Sequence, residues 1–244
     1  MTESLWNGFK RLDFVFEGMD AVLVFPEKAN GNRNWLLKTE YFGSFPKFQI
    51  EMVRRGWHLA YIKNVTRWCL EEDLDRKKRF VSYLTEKFGL YDKCIPVGMS
   101  CGGLIASKFA AKYPECVSAL YLDAPVMNYL SCPGGFGKAT DPSVEQMLPE
   151  FLNAMDMSLS RLICYREHPV DKMHLLLENN IPVIMVYGDS DTVVPYEENG
   201  ALLEKYYREN GGTMAVIGKK NCGHHPHGLE DNTPIIEFVQ KYCD

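Results

Sequence analysis

An apolar run ending at Gly98 is followed by Met99-Ser100-Cys101-Gly102-Gly103 and then directly by a helix-like run over residues 104–113. Ser100 therefore sits where a strand would turn sharply into a helix, with a glycine two residues before it and another two after. Such a turn puts the serine in a strained backbone conformation, and only small neighbours at minus two and plus two leave room for it. The strain lifts Oγ clear of the sheet edge. The N–H of the next residue, Cys101, then points at the place where an oxyanion would form. The helix N-terminus adds a partial positive charge there. The five-residue pattern is also compatible with a plain glycine-rich turn, so the reading depends on whether the chain supplies a base and an acid in the right order.

Around this turn the pattern alternates. Apolar runs at 12–16 and 21–25, separated by Glu17-Gly18-Met19-Asp20, predict an antiparallel hairpin. Helical spacing predicts helices over 48–55 and 71–88, the second closed by Gly89. Further strands are expected at 57–62, 117–122, 181–187 and 213–217, and further helices at 170–179, 197–209 and 233–242. After the hairpin the order is strand, helix, strand, helix, which gives a mainly parallel sheet with helices on both faces. Residues 126–167 break that rhythm with Pro133-Gly134-Gly135, Gly137 and Asp141-Pro142 ahead of a helix-like stretch at 144–163. They read as a cap inserted into a single domain spanning 1–244.

A chain of 244 residues can bury a large core without disulfides or metals. The net charge of -5 and the lack of a strongly basic run give no electrostatic reason to expect nucleic acid. Met1-Thr2-Glu3-Ser4-Leu5-Trp6 has neither the basic nor the apolar region of an export signal. No apolar stretch approaches the roughly 18–20 residues of a membrane span. The eight cysteines are scattered without a C-x-x-C pair, so reduced thiols in a cytoplasmic protein are expected. No cofactor is expected, and no pattern fixes the oligomeric state.

A serine nucleophile needs a base within hydrogen-bond reach, and the base needs an orienting partner. In open α/β sheets such groups gather at the carboxyl ends of strands. Past the strand at 181–187 comes Gly188-Asp189-Ser190-Asp191-Thr192-Val193-Val194-Pro195. Asp191, deeper in the loop, is the first choice as orienter. Asp189 suits a turn-capping role, and Asp123, past the strand at 117–122, is the runner-up. Past the last strand comes Asn221-Cys222-Gly223-His224-His225-Pro226-His227-Gly228. His224, directly after a glycine that lets the loop approach the serine, is the expected base. His225 and His227 either shape the pocket and contact substrate or sit in a solvated loop. Histidine clusters also bind zinc or copper. No cysteine–histidine spacing here matches a structural zinc site, however, and no metal is expected.

The order Ser100, Asp191, His224, each just beyond a strand, is the chain order of an α/β-hydrolase, and the resemblance runs from about residue 22 to 242. Residues 35–45, Gly98-Met99-Ser100-Cys101-Gly102-Gly103, Leu122-Asp123-Ala124-Pro125 and Gly223-His224-His225-Pro226-His227 together resemble a bacterial group of small, mostly uncharacterised hydrolases of esterase type. Members of that group often carry arginine after the nucleophile, where this chain has Cys101. The resemblance implies the α/β-hydrolase fold and cleavage of a small or sugar-linked carboxylic ester through an acyl-enzyme. Ser100, His224 and Asp191 would carry it, with the Cys101 N–H in the oxyanion hole. No His-Gly-Gly motif occurs in residues 25–35, so the second oxyanion donor is expected from Trp35-Leu36-Leu37-Lys38-Thr39-Glu40, with Leu36 as the choice. Trp35 and Lys38 are expected to contact substrate, Lys38 alternatively pairing with Glu40. Three other readings remain: a hydrolase scaffold that binds a ligand without turnover, hydrolysis of an amide, thioester or carbon–carbon bond, and a metal-binding module using His224, His225 and His227.

Overall fold

The central strands are apolar at consecutive positions because both faces of their sheet are covered. In the computed structural model, which describes residues 1–243, strands β1 (Thr2–Trp6), β2 (Phe9–Phe16) and β3 (Met19–Val24) run antiparallel. β3 also pairs antiparallel with β5 (His58–Ile62). From there β4 (Trp35–Lys38), β6 (Ile95–Met99), β7 (Leu120–Asp123), β8 (Val183–Gly188) and β9 (Met214–Lys219) continue in parallel. The sheet order is β1-β2-β3-β5-β4-β6-β7-β8-β9.

Alternation within each strand divides the core in two. Trp35 and Leu37, Leu122, Val183 and Met185 face one apolar cluster, built with α2 (Glu71–Phe88), α3 (Cys101–Lys112), α6 (Met173–Glu178) and α7 (Gly200–Glu209). Leu36, Val97, Tyr121, Ile184 and Val186 face the other, built with α1 (Lys47–Arg54) and α8 (Thr233–Lys241). Helix α2 has the bounds that its periodicity predicts. Glu71, Glu72 and Asp73 fill its first turn, where carboxylates offset the helix dipole, and Gly89 closes it in the left-handed conformation at φ 67°.

Several expected elements are divided or shortened. The stretch at 144–163 is two helices, α4 (Ser143–Ala154) and α5 (Leu159–Cys164), with Asp156 at φ 46° between them. The helix expected at 197–209 begins only at Gly200, because Asn199 turns its backbone and its side chain inward. The Asn199 side-chain Oδ1 accepts the N–H groups of Met127 and Asn128 at 2.9 and 3.0 Å, tying the chain after β7 to the base of α7. Strand β1 carries four exposed residues in five and no apolar period that would have marked it. Among the described residues, no helix is long and apolar enough to cross a membrane.

Candidate active site

The turn from β6 into α3 holds Ser100 at φ 53°, ψ -122°, a strained combination for a non-glycine residue. Contact requires a small residue at minus two and at plus three rather than at plus two, where a Cβ on Gly102 would have its nearest contacts at 3.3 Å. A Cβ on Gly98 would lie 2.4 Å from the Gly102 carbonyl oxygen, and one on Gly103 would lie 2.5 Å from the Pro125 Cβ. The Ser100 N–H donates to the Asp123 carbonyl at 3.0 Å, which ties the turn to the end of β7. Cys101 opens α3, so its N–H has no helical carbonyl four residues back to bond. Burial pushes the Cys101 thiol pKa up, which keeps the thiol protonated beside the serine.

Two loops converge on Ser100. After β8, Asp191 accepts the N–H groups of Val193 and Val194 on Oδ1, both at 2.9 Å. Its Oδ2 lies 2.7 Å from His224 Nδ1. His224 Nε2 in turn lies 3.0 Å from Ser100 Oγ. The carboxylate is 1% exposed and the imidazole 8%. Gly188 lets the two loops meet, since a Cβ there would lie 2.3 Å from the carbonyl oxygens of Cys222 and Gly223. The Ser190 N–H donates to the Cys222 carbonyl at 2.9 Å across the same seam. Asp189 is exposed and accepts the neighbouring Ser190 hydroxyl, a turn-forming role.

Asp123 does not reach His224. Its carboxylate accepts Nδ1–H of His227 at 2.7 Å, the Gly228 N–H at 2.6 Å and the Tyr121 hydroxyl at 3.2 Å, and it is 1% exposed. Burial lowers the His227 pKa against the pull of that carboxylate. His225 is exposed and stacks on Phe45 at 5.4 Å, and burial of the ring followed by its histidine neighbours lowers its pKa too. Both rings line the same cavity as Ser100 and His224.

Three expected contacts fall elsewhere, for one reason: residues 35–38 are a central strand, and the loop begins only at Thr39. Leu36 is fully buried and paired between Leu59 and Ile95 in the sheet, so it is not an oxyanion donor. Trp35 lies at the amino end of β4, fully buried, and donates its indole N–H to the Tyr91 carbonyl at 2.8 Å. Lys38 is also fully buried, its Nζ 3.0 Å from Met99 Sδ, and burial lowers its pKa to about 7. It makes no hydrogen bond to Glu40, whose carboxylate accepts from Asn64.

The cavity holds about 450 Å³. Besides the serine and the histidines, Tyr41, Phe45, Met99, Met147 and Val193 give it apolar walls, and Ser44, Arg67, Asp141 and Ser143 add polar groups. Arg67 donates Nε–H to Glu150 of α4 at 2.9 Å and makes a second, shorter contact to the same carboxylate. Burial opposes the Arg67 charge most strongly, but the Glu150 hydrogen bond together with Cys101 and Tyr41 raises its pKa overall. Sequence reasoning placed Tyr41 near the site among the aromatics but missed Arg67 and Met147. Arg67 follows the carboxyl end of β5, and that position was the available signal.

No known family's sequence profile matches the chain, and no curated protein matches it. Solved structures do. The chain superposes on an acylaminoacyl peptidase of Pyrococcus horikoshii with a TM-score of 0.67 at 15% identity, covering 91% of this chain and 40% of that one. A puromycin-hydrolyzing peptidase of Mycobacterium tuberculosis gives 0.69 at 13% identity, covering 96% and 39%. Est1E from Butyrivibrio proteoclasticus gives 0.63 at 16% identity, covering 96% and 98%. The chain thus spans about two fifths of the length of these peptidases and nearly all of Est1E. The shared element order is that of the α/β-hydrolase fold.

Proposed function

We propose that this α/β-hydrolase-fold chain is a serine hydrolase that cleaves a carboxylic ester of a small molecule through an acyl-enzyme on Ser100. One observation carries the reading: the line from Asp191 through His224 to Ser100, at 2.7 and 3.0 Å, ends on a serine held in a strained turn. Asp191 holds the imidazole in the tautomer with the proton on Nδ1, leaving Nε2 to accept the Ser100 proton during attack on the ester carbonyl. The resulting imidazolium is stabilised by the same carboxylate and returns the proton to the leaving alcohol. Water then repeats the sequence in reverse on the acyl-serine.

The oxyanion needs preorganised donors. The Cys101 N–H is one. The second in this reading is the Tyr41 N–H, on the loop that leaves β4 beside the cavity, where only a long 3.3 Å contact to Glu40 holds it. Apolar walls of Tyr41, Phe45, Met147 and Val193 in a cavity of about 450 Å³ suit a compact acyl or alcohol group, and the polar groups at its rim suit a sugar-linked one.

The test is hydrolysis of p-nitrophenyl esters from acetate to octanoate, with the matching p-nitroanilides, by wild type and Ser100→Ala side by side. Ester turnover that disappears in Ser100→Ala supports the reading, and the chain-length profile sizes the cavity. Undiminished turnover in the mutant removes Ser100 from the mechanism. Faster cleavage of anilides than esters moves the substrate class to amides.

A further inference from the structure

We propose that His224, His225 and His227 form a binding site for a zinc-class transition-metal ion, and that filling it switches Ser100 off. The switching half rests on the hydrolase reading above; the binding half does not. One ring nitrogen from each of the three residues can be chosen so that all three lie within 4.8 Å of one another. With Zn–N bonds of about 2.0–2.1 Å, donors of a tetrahedral site stand about 3.3 Å apart, so closure asks for shifts of about 1.5 Å or less. The rings are also disposed for it. Their centroids are 4.8, 5.0 and 4.9 Å apart and their planes cross at 62°, 81° and 88°, so no two of the three stack on each other.

Two of the three imidazoles are already backed by a carboxylate. Asp191 holds Nδ1 of His224 and Asp123 holds Nδ1 of His227, each at 2.7 Å. That arrangement fixes the tautomer, leaves the Nε2 lone pair for a metal and raises its basicity. The two anions also offset the charge of a divalent ion bound by three neutral rings. His225 is the exposed member, held by stacking on Phe45. Three histidines leave a fourth position for water, and imidazole donors select zinc, copper or nickel over magnesium.

The consequence for Ser100 follows from one lone pair. Nε2 of His224 accepts the Ser100 hydroxyl at 3.0 Å. The same lone pair would bind the metal, so a filled site leaves Ser100 without a proton acceptor. Binding is reversible, and no bond of the protein is broken.

The experiment is equilibrium dialysis of the full chain against Zn²⁺, with the visible absorption of Co²⁺ as a second probe and ester turnover read in parallel. One equivalent is expected to bind. His225→Ala, at an exposed position, and His227→Ala should each weaken binding at least about tenfold. Asp123→Asn should weaken it by about 10–100-fold through the loss of the backing carboxylate. Cys222→Ser should leave binding unchanged, and turnover should fall in step with occupancy while Mg²⁺ has no effect. Unchanged zinc affinity in His225→Ala, or loss of binding in Cys222→Ser instead, overturns the site. Turnover that holds or rises at saturating zinc overturns the switch. Zinc binding with the expected variant pattern in a protein that hydrolyses no ester or anilide overturns the hydrolase reading and the switch together, and leaves the site standing.

Discussion

The chain carries two buried aspartate–histidine pairs at the same end of the same sheet. Each carboxylate is 1% exposed, accepts three hydrogen bonds, and holds an imidazole Nδ1 at 2.7 Å. The difference lies at the far nitrogen. Nε2 of His224 meets Ser100 Oγ, whereas His227 makes no hydrogen bond to a nucleophile among the described residues. Their chain settings differ as well. Asp191 sits in a loop and takes two backbone donors from its own turn, whereas Asp123 ends a central strand and bridges β7 to the chain after β9. A buried aspartate–histidine pair is therefore a common structural part. What makes one of them a candidate for chemistry is the hydroxyl it reaches.

The comparison is broken most sharply by removing one imidazole at a time. His224→Ala should lower kcat for ester hydrolysis by about 10⁴–10⁶-fold, while His227→Gln should stay within about tenfold of wild type. Equal losses in a steady-state assay would mean that both pairs serve the reaction. The carboxylates come next. Asp191→Asn should cost about 10⁴ in kcat through the wrong tautomer, with little change in Tm. Asp123→Ala should behave in the opposite way. It leaves three donors facing a void and should cost about 3 kcal/mol in urea unfolding, with turnover of the folded fraction largely kept. A dead but stable Asp123→Ala would move the orienting role to Asp123.

The last comparison concerns Lys38, whose charge lowers the pKa of His227 in the Asp123 pair. Burial lowers its folded pKa from 10.5 to about 7. Between these values the unfolded chain holds a proton that the folded chain has given up, so this group makes stability rise with pH, by up to about 1.4 kcal/mol per unit. Below pH 7 both states are protonated and the cost of the buried charge is fully present. Lys38→Met should therefore stabilise the protein most at pH 7, and the gain should shrink by pH 9. A gain that stays constant across urea unfolding at pH 7, 8 and 9 would show that the folded protein keeps Lys38 charged.

The parts of the fold that were legible are those where local pattern and tertiary role agree. Helix α2 is amphipathic, acid-led and glycine-closed, and its predicted bounds are its observed ones. The strand–turn–helix at Ser100 was legible because contacts under 3 Å at Gly98 and Gly103 leave no room for larger residues there. Residues 35–38 were misread because Lys38 looks like a surface residue. Its burial depends on Met99 and on carboxylates from other elements, which no local pattern encodes. Arg67 and Met147 escaped notice for a related reason. They come to the cavity from segments far apart in the chain, and only their positions past strand ends or inside the 126–167 segment hinted at it. Asn199 interrupts a helical period by bonding across the core to Met127 and Asn128, a choice made by distant backbone donors.

Gly188 makes the spacing between the acid loop and the base loop a matter of backbone thickness. With the carbonyls of Cys222 and Gly223 only 2.3 Å from where a methyl group would sit, the two segments are as close as two main chains can come. The reach from Asp191 to His224 is thereby gauged by peptide groups, which do not change rotamer, and drift elsewhere in either loop is corrected at that seam. Evolution can rewrite almost every side chain around the cavity and retune what enters it. The distance over which the carboxylate orients the imidazole is kept by a residue that has no side chain at all.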